Sequence, residues 1–281
     1  MITFPNAKIN LGLDILRRRP DGYHDISTVM VPVPWTDILE AVPARGCGTT
    51  LTVSGRQVDC PPEKNLVMKA YRALSAKVQL PDIDIYLRKI IPDGAGLGGG
   101  SADASFLLTM VARMASLNIS DRELASLAAT LGADCPFFVY NRPMLCTGTG
   151  TEMTPIDVPS LNGLGILIVK PPVSVPTALA YSRVSPAEPR LSVAEILSLP
   201  PEQWQGLLKN DFEPSVFTAY PEVARVKESI LSLGPVYASM SGSGAAVYGL
   251  FRSDKLSEIT PGVLSGLFAG CDTFIGMLGL G

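Results

Sequence analysis

Apolar and polar residues alternate strictly over residues 7–14, with Ala7, Ile9, Leu11 and Leu13 on one side and Lys8, Asn10, Gly12 and Asp14 on the other. A period of two predicts a strand, and it sets Lys8 and Asn10 on one face about 7 Å apart. A less regular alternation over residues 83–91 predicts a half-buried strand, after which residues 102–115 are a continuous run of good or tolerable helix formers. A second helix is expected over residues 121–131. Ser120 and Glu123 have capping-box spacing, Leu124, Leu127, Ala128 and Leu131 form one stripe, and Gly132 stands just past the end. Between residues 147 and 163, Gly148, Gly150, Pro155, Pro159 and Gly163 interrupt any long period and mark the best boundary. Beyond it, residues 164–169 read as a buried strand and 221–233 as a helix, while 236–240 and 245–251 read as strands flanking a glycine turn. The expected architecture is α+β in two domains, residues 1–155 and 156–281.

The first strand–helix junction carries the strongest chemical signal. Five glycines, Gly94, Gly96, Gly98, Gly99 and Gly100, fall within seven residues where the strand pattern gives way to the helix pattern. Glycine permits φ > 0 and close approach of backbone to ligand, and the first turn of the helix offers unpaired N–H groups and partial positive charge. Such a junction cradles phosphate. No lysine follows the glycines, so the Walker A form fails. Gly94, Gly96 and Gly99 satisfy G-x-G-x-x-G, but the acidic residue about 20 positions on would be Asp121, at a helix start instead of a strand end. A turn that needs glycine only for packing would use fewer than five.

Composition narrows the setting. Charged residues are 17% of the 281, and the formal net charge is −3, so no global basic field attracts nucleic acid or anionic lipid. Any anion site is built locally. The five cysteines, Cys47, Cys60, Cys135, Cys146 and Cys271, are odd in number and scattered, which argues against a disulfide framework or a zinc site and for a reducing compartment. With no apolar leader and no run of 18 apolar residues, the expectation is a soluble, cytoplasmic protein. Neither nucleic acid nor membrane is expected as a partner, and a homodimer is left open.

Some residue types invite a bland reading beside a chemical one. Lys8 and Asn10 could lie on a solvated sheet face, or could serve a hydroxyl acceptor and a transferring phosphoryl group. Asp134, between Gly132 and Pro136, could be a turn or capping residue; the nearby proline biases the chain toward extended conformations. Ser101 could cap the helix after the glycines, or touch phosphate or Mg²⁺. His24 is the only histidine.

Three segments resemble the GHMP kinases, the superfamily of galactokinase, homoserine kinase and mevalonate kinase. They are Pro92-Asp93-Gly94-Ala95-Gly96-Leu97-Gly98-Gly99-Gly100-Ser101, followed by Ala102, then Pro5-Asn6-Ala7-Lys8-Ile9-Asn10-Leu11, and Ser239-Met240-Ser241-Gly242-Ser243-Gly244-Ala245. Asp21-Gly22-Tyr23-His24 and Leu131-Gly132-Ala133-Asp134-Cys135-Pro136 narrow the resemblance to the branch whose acceptor carries cytidine diphosphate. The resemblance spans nearly the whole chain in the family's order. It implies a ribosomal-protein-S5-like domain followed by a ferredoxin-like domain. The small-molecule substrates are then ATP and a cytidyl alcohol. Residues 92–102 would bind ATP, Lys8 and Asp134 would be the catalytic pair, and Asn10, Tyr23, His24, Thr177, Tyr181, Gly242 and Gly244 would hold the acceptor. Tyr23 and Tyr181, one in each expected domain, would stack on opposite faces of the cytosine and so bridge the domains. A phenylalanine in the family at the position of Tyr181 stacks equally well. The loop carries an extra glycine relative to members that supply a glutamate to Mg²⁺, so no protein metal ligand is assigned and magnesium is expected as MgATP. Asn210-Asp211 also resembles a family signature, with no role attached.

Overall fold

The computed structural model describes residues 1–58, 60–182 and 184–279. Its strands in chain order are β1 (Ile2–Thr3), β2 (Asn6–Arg18), β3 (His24–Thr36), β4 (Ile38–Pro43), β5 (Thr50–Gly55), β6 (Ile83–Lys89), β7 (Met144–Thr147), β8 (Glu152–Pro155), β9 (Leu164–Lys170), β10 (Tyr237–Met240), β11 (Val247–Arg252) and β12 (Asp272–Met277). The helices used below are α1 (Leu66–Ser75), α2 (Gly99–Met114), α3 (Asp121–Ala129), α4 (Cys135–Tyr140), α5 (Thr177–Ser182), α6 (Val193–Leu197), α7 (Glu213–Ala219) and α8 (Pro221–Ser232). Two compact units result: Met1–Ala7, Trp35–Asp93 and Gly98–Arg142 form the first, and Lys8–Pro34, Gly94–Leu97 and Pro143–Gly281 the second.

In the first unit, four strands lie in the order β1-β4-β6-β5, with β5 parallel to β6 and the other pairs antiparallel. The alternation of β6 places Ile83, Ile85 and Leu87 inward, against Val67 and Leu74 of α1, Leu107 and Val111 of α2, and Leu124 of α3. Each such side chain contributes roughly 1.5–3 kcal/mol by leaving water. The expected capping box is present: the Ser120 hydroxyl accepts the Glu123 amide while the Glu123 carboxylate accepts the Ser120 amide. This helix ends at Ala129, two residues early, where the Thr130 hydroxyl donates back to the Leu127 carbonyl at 2.7 Å. The apolar face of β6 finishes on a cation. Lys89, 5% exposed, donates to buried Asp37 and, at 2.7 Å, to Asp103 of α2. Asp37 in turn accepts the Ile90 and Ile91 amides, and burial pushes the Asp103 carboxyl up against the pull of Lys89.

The second unit holds the antiparallel sheet β10-β11-β9-β12. Its strands stand second, third, first and fourth in chain order, the arrangement of a ferredoxin-like βαββαβ unit. Leu167, Val169, Val247 and Phe251 pack with Val216 of α7 and Val223, Val226 and Ile230 of α8. The strand β9 is buried along its whole length, as its unbroken apolar run predicts. A further sheet runs β2-β3-β7-β8, and the stretch expected to mark a boundary begins at the last residue of β7 and holds the turn to β8 and β8 itself.

Next to this sheet, Asp14 lines a cavity of ≈ 540 Å³ with Glu188, Lys209 and Asp211; none of the predicted site residues lines it. Burial, with the Asp211 carboxylate beside it, pushes the Asp14 carboxyl up to about 6 from 3.8. Between about pH 4 and pH 6 the native state therefore keeps a proton that the unfolded chain has released, so stability falls as pH rises through this window. We expect the loss to approach ~3 kcal/mol at most. Denaturant titrations from pH 4 to 7 check it: Asp14→Asn should remove this slope and be the more stable protein above pH 6.

Candidate active site

The glycine loop adopts the conformations that only glycine tolerates well. Gly94, Gly96 and Gly98 have φ of +58°, +72° and +72°. Gly98 is the N-cap of α2, which starts three residues earlier than its composition predicts, and no side chain caps it. Ser101 is thus not the cap. It lies in the first turn near Cys135, whose thiol is buried and pushed up by desolvation, away from the range of a reactive nucleophile. The carbonyls of residues 94–98 are all engaged. Gly94 accepts the Ala245 amide at 3.3 Å, Ala95 the Ala246 amide at 3.1 Å, Gly96 the Ser241 hydroxyl at 2.9 Å, and Leu97 the Lys8 amide at 2.9 Å. Gly98 accepts Ala102 within α2 at 2.9 Å. Five successive carbonyl lone pairs are taken up by donors, which leaves a backbone able to offer N–H groups to an anion without opposing dipoles.

The turn of residues 241–246, between β10 and β11, lies so near the loop that a Cβ on Gly96 would stand 2.1 Å from the Ser241 carbonyl oxygen. On its other side, a Cβ on Gly242 would stand 3.4 Å from the Asn10 Oδ1. Lys8 and Asn10 do share a face, and it is not a solvated one: they are 3% and 2% exposed. The Lys8 Nζ donates to Asn10 Oδ1 at 2.6 Å, and the Asn10 amide donates to the Thr28 hydroxyl at 3.1 Å. The Tyr248 hydroxyl fixes the Asn10 carbonyl at 2.7 Å. Thr28 and Tyr248 escaped the sequence reading because they reach Asn10 across 18 and 238 residues, with no local pattern to announce them.

The aromatic residues also gather in the second unit. The His24 ring lies on the Tyr181 ring at 4.9 Å and 20°, and Tyr181 meets the edge of Phe212 at 4.7 Å. Tyr23 is 67% exposed. Thr177, at the start of α5, contacts the Ser243 hydroxyl at 3.3 Å. Tyr23, His24 and Tyr181 fall in the same compact unit, so the expectation that two tyrosines bridge two domains is corrected: β3 enters the second unit through residues 24–34. Sequence distance stood for spatial distance, and β-pairing removed it.

Asp134 belongs to the first unit and stands at the N-cap position of α4 with helical φ and ψ of −82° and −15°. The proline does not extend the chain there. Pro136 lies within the first two positions of the helix, where a missing N–H costs nothing. The Asp134 carboxylate makes no capping hydrogen bond, so the capping reading is excluded. The two candidate catalytic residues thus come from different units, Lys8 from the second and Asp134 from the first.

A glycine-rich loop ahead of a helix, a buried lysine–asparagine pair and a ferredoxin-like sheet fit a GHMP-type small-molecule kinase. Residues 65–142 match the family described as GHMP kinases N terminal domain, and residues 193–261 match GHMP kinases C terminal. The chain is 50% identical to a Parabacteroides distasonis protein named 4-diphosphocytidyl-2-C-methyl-D-erythritol kinase, over 90% of this chain and 92% of that one. A Porphyromonas gingivalis protein of the same name is 51% identical over the same shares. A crystal structure of 4-(cytidine 5'-diphospho)-2C-methyl-D-erythritol kinase superposes with a TM-score of 0.82 at 33% identity, covering both chains fully. The chain therefore belongs, within the GHMP kinases, to the 4-diphosphocytidyl-2-C-methyl-D-erythritol kinase family.

The glycines of the loop should not be equally replaceable. A Cβ at Gly96 meets backbone atoms that cannot yield, at positive φ, whereas at Gly100 it meets only the Leu66 Cδ1 at 3.7 Å. Thermal denaturation should show Gly96→Ala strongly destabilised. Gly100→Ala should keep or exceed wild-type stability, since alanine in a helix gains about 0.8–1 kcal/mol over glycine.

Proposed function

We propose that the protein transfers the γ-phosphoryl group of ATP to the 2-hydroxyl of 4-diphosphocytidyl-2-C-methyl-D-erythritol, in non-mevalonate isoprenoid precursor synthesis. The reading rests on the buried Lys8–Asn10 pair beside the glycine loop, in a chain half identical to kinases of that name. The acceptor oxygen attacks the γ-phosphorus in line, the bond to the β–γ bridging oxygen breaks, ADP leaves, and the hydroxyl proton passes to Asp134. Lys8 stabilises the developing alkoxide, held in place by Asn10 at 2.6 Å. The segment of residues 92–102 takes the ATP phosphates through amides of its glycine-rich stretch, since Pro92 has no N–H and that of Ala102 is given to Gly98.

MgATP brings its metal as part of the substrate. Among the described residues, no group of three or more His, Cys, Asp or Glu side chains converges as a cage of its own. The stacked His24 and Tyr181, with exposed Tyr23 and with Thr177, Gly242 and Gly244 nearby in sequence or contact, supply the surface for the cytidyl group. A base stacked on aromatic rings gains about 1–3 kcal/mol per contact. The two family matches fall on either side of the division into residues 1–155 and 156–281, but the compact units do not follow it, since residues 8–34, 94–97 and 143–155 group with the second unit. A cytoplasmic setting rests on the five scattered cysteines, odd in number. Among the described residues, no helix is long and apolar enough to cross a membrane.

The deciding experiment offers ATP and Mg²⁺ with a panel of the diphosphocytidyl alcohol, homoserine, mevalonate and galactose. ADP and a single monophosphorylated product are expected from the first alone; efficient turnover of homoserine or mevalonate with none of the cytidyl substrate would overturn the assignment. In the same assay, Lys8→Ala and Asp134→Asn should each lower kcat by about 10²–10⁴-fold. MgATP binding should survive, because the glycine loop offers its backbone amides whichever side chain stands at position 8, and the Lys8 backbone amide itself is engaged by the Leu97 carbonyl at 2.9 Å. A folded variant with near-normal kcat would remove its residue from the mechanism.

A further inference from the structure

Asn210-Asp211 is the one sequence signature that the proposed chemistry leaves idle. Its setting is not idle. The segment docks on β2: the Leu13 amide donates to the Lys209 carbonyl at 2.8 Å, and the Asp211 amide to the Leu13 carbonyl at 2.9 Å. The Asp211 carboxylate accepts the Ile15 amide at 2.8 Å. With its backbone fixed, the Asn210 side chain, 3% exposed, makes three hydrogen bonds that use both N–H donors and the oxygen. Its Nδ2 donates to the carbonyls of Met240 at 2.8 Å and Gly242 at 2.9 Å, and its Oδ1 accepts the Phe212 amide at 3.0 Å.

The two carbonyls it holds straddle Ser241. That residue's hydroxyl and carbonyl oxygen both press on Gly96, and the next two amides after Gly244 bind Gly94 and Ala95. The same turn packs Gly242 against the oxygen that accepts Lys8 Nζ. One planar amide therefore determines where the turn of residues 241–246 sits, and the turn determines both the first half of the glycine loop and the Asn10–Lys8 pair.

We propose that Asn210 is a positioning residue for phosphoryl transfer: it registers the turn of residues 241–246, and through it the phosphate-binding backbone and Lys8. The inference rests on the kinase reading above. It deepens that reading by assigning a residue that touches neither ATP nor acceptor. A residue serving only to hold the fold would change the melting temperature and leave KM and kcat alone.

The isosteric variant Asn210→Asp separates these roles. It keeps the acceptor for the Phe212 amide and loses both N–H donors. When its buried carboxyl is protonated it donates one hydrogen bond to the turn; when ionised it donates none and faces two carbonyl oxygens. We expect a folded Asn210→Asp protein with kcat/KM for ATP about 10- to 100-fold below wild type. The deficit should widen as pH rises from 6 to 9, a slope absent in wild type. Asn210→Ser, smaller and without a new charge, should raise KM for ATP with no such slope, and carries the test if the aspartate variant does not fold. Calorimetric titration with MgATP and no acceptor separates failure of this inference from failure of the kinase assignment. Wild type that binds no MgATP removes the assignment. Wild type and folded variants that bind alike, with kinetic constants within about twofold and superimposable pH profiles, leave Asn210 a purely structural residue and overturn the proposal.

Discussion

At Gly96, backbone meets backbone. The Ser241 carbonyl occupies the space a side chain would need, and two segments 145 residues apart join there without any side-chain bulk between them. That approach lets a hydroxyl and two amides from the turn reach the loop's carbonyls, which in turn frees the N–H side of the loop for an anion. The positive φ angles of Gly94 and Gly96 are the local cost of this arrangement, and only glycine meets it without strain. The placement of Asn10 and Lys8 follows from the same turn, since Gly242 lies against the asparagine that orients the lysine. The glycine loop and the buried Lys8 are thus referred to one piece of backbone.

Much of this was legible wherever the cause was local. The five glycines, the Ser120–Glu123 box and the alternation through β2 and β6 are short-range patterns, and the structure contains each. The reading failed where two local rules competed. The helix was expected from residue 102, but Gly98 in the left-handed conformation begins it three residues earlier, which removes the capping alternative left open for Ser101. The bias of a residue near proline toward extended backbone lost to α4, which uses Pro136 where no N–H is needed.

Other features had no local cause to read. Thr28 and Tyr248 matter because β2, β3 and β11 bring them to Asn10, and the stack of His24 on Tyr181 depends on chain segments 157 residues apart. The same limit explains why Asn210 looked like a signature without a purpose. Its partners, Met240 and Gly242, lie 30 and 32 residues on.

The buried set of Lys89, Asp37 and Asp103 has a consequence for how this chain can change. Removing Lys89 strands two carboxylates in the interior, which costs about 3–5 kcal/mol, whereas an apolar trio of matching volume would be neutral or better. That loss is a large share of the 5–15 kcal/mol by which a domain is ordinarily stable. Lys89 is therefore the member that cannot be lost first. Drift that begins there meets a barrier at once, and the strand that leads into the glycine loop stays tied to the helix that leaves it.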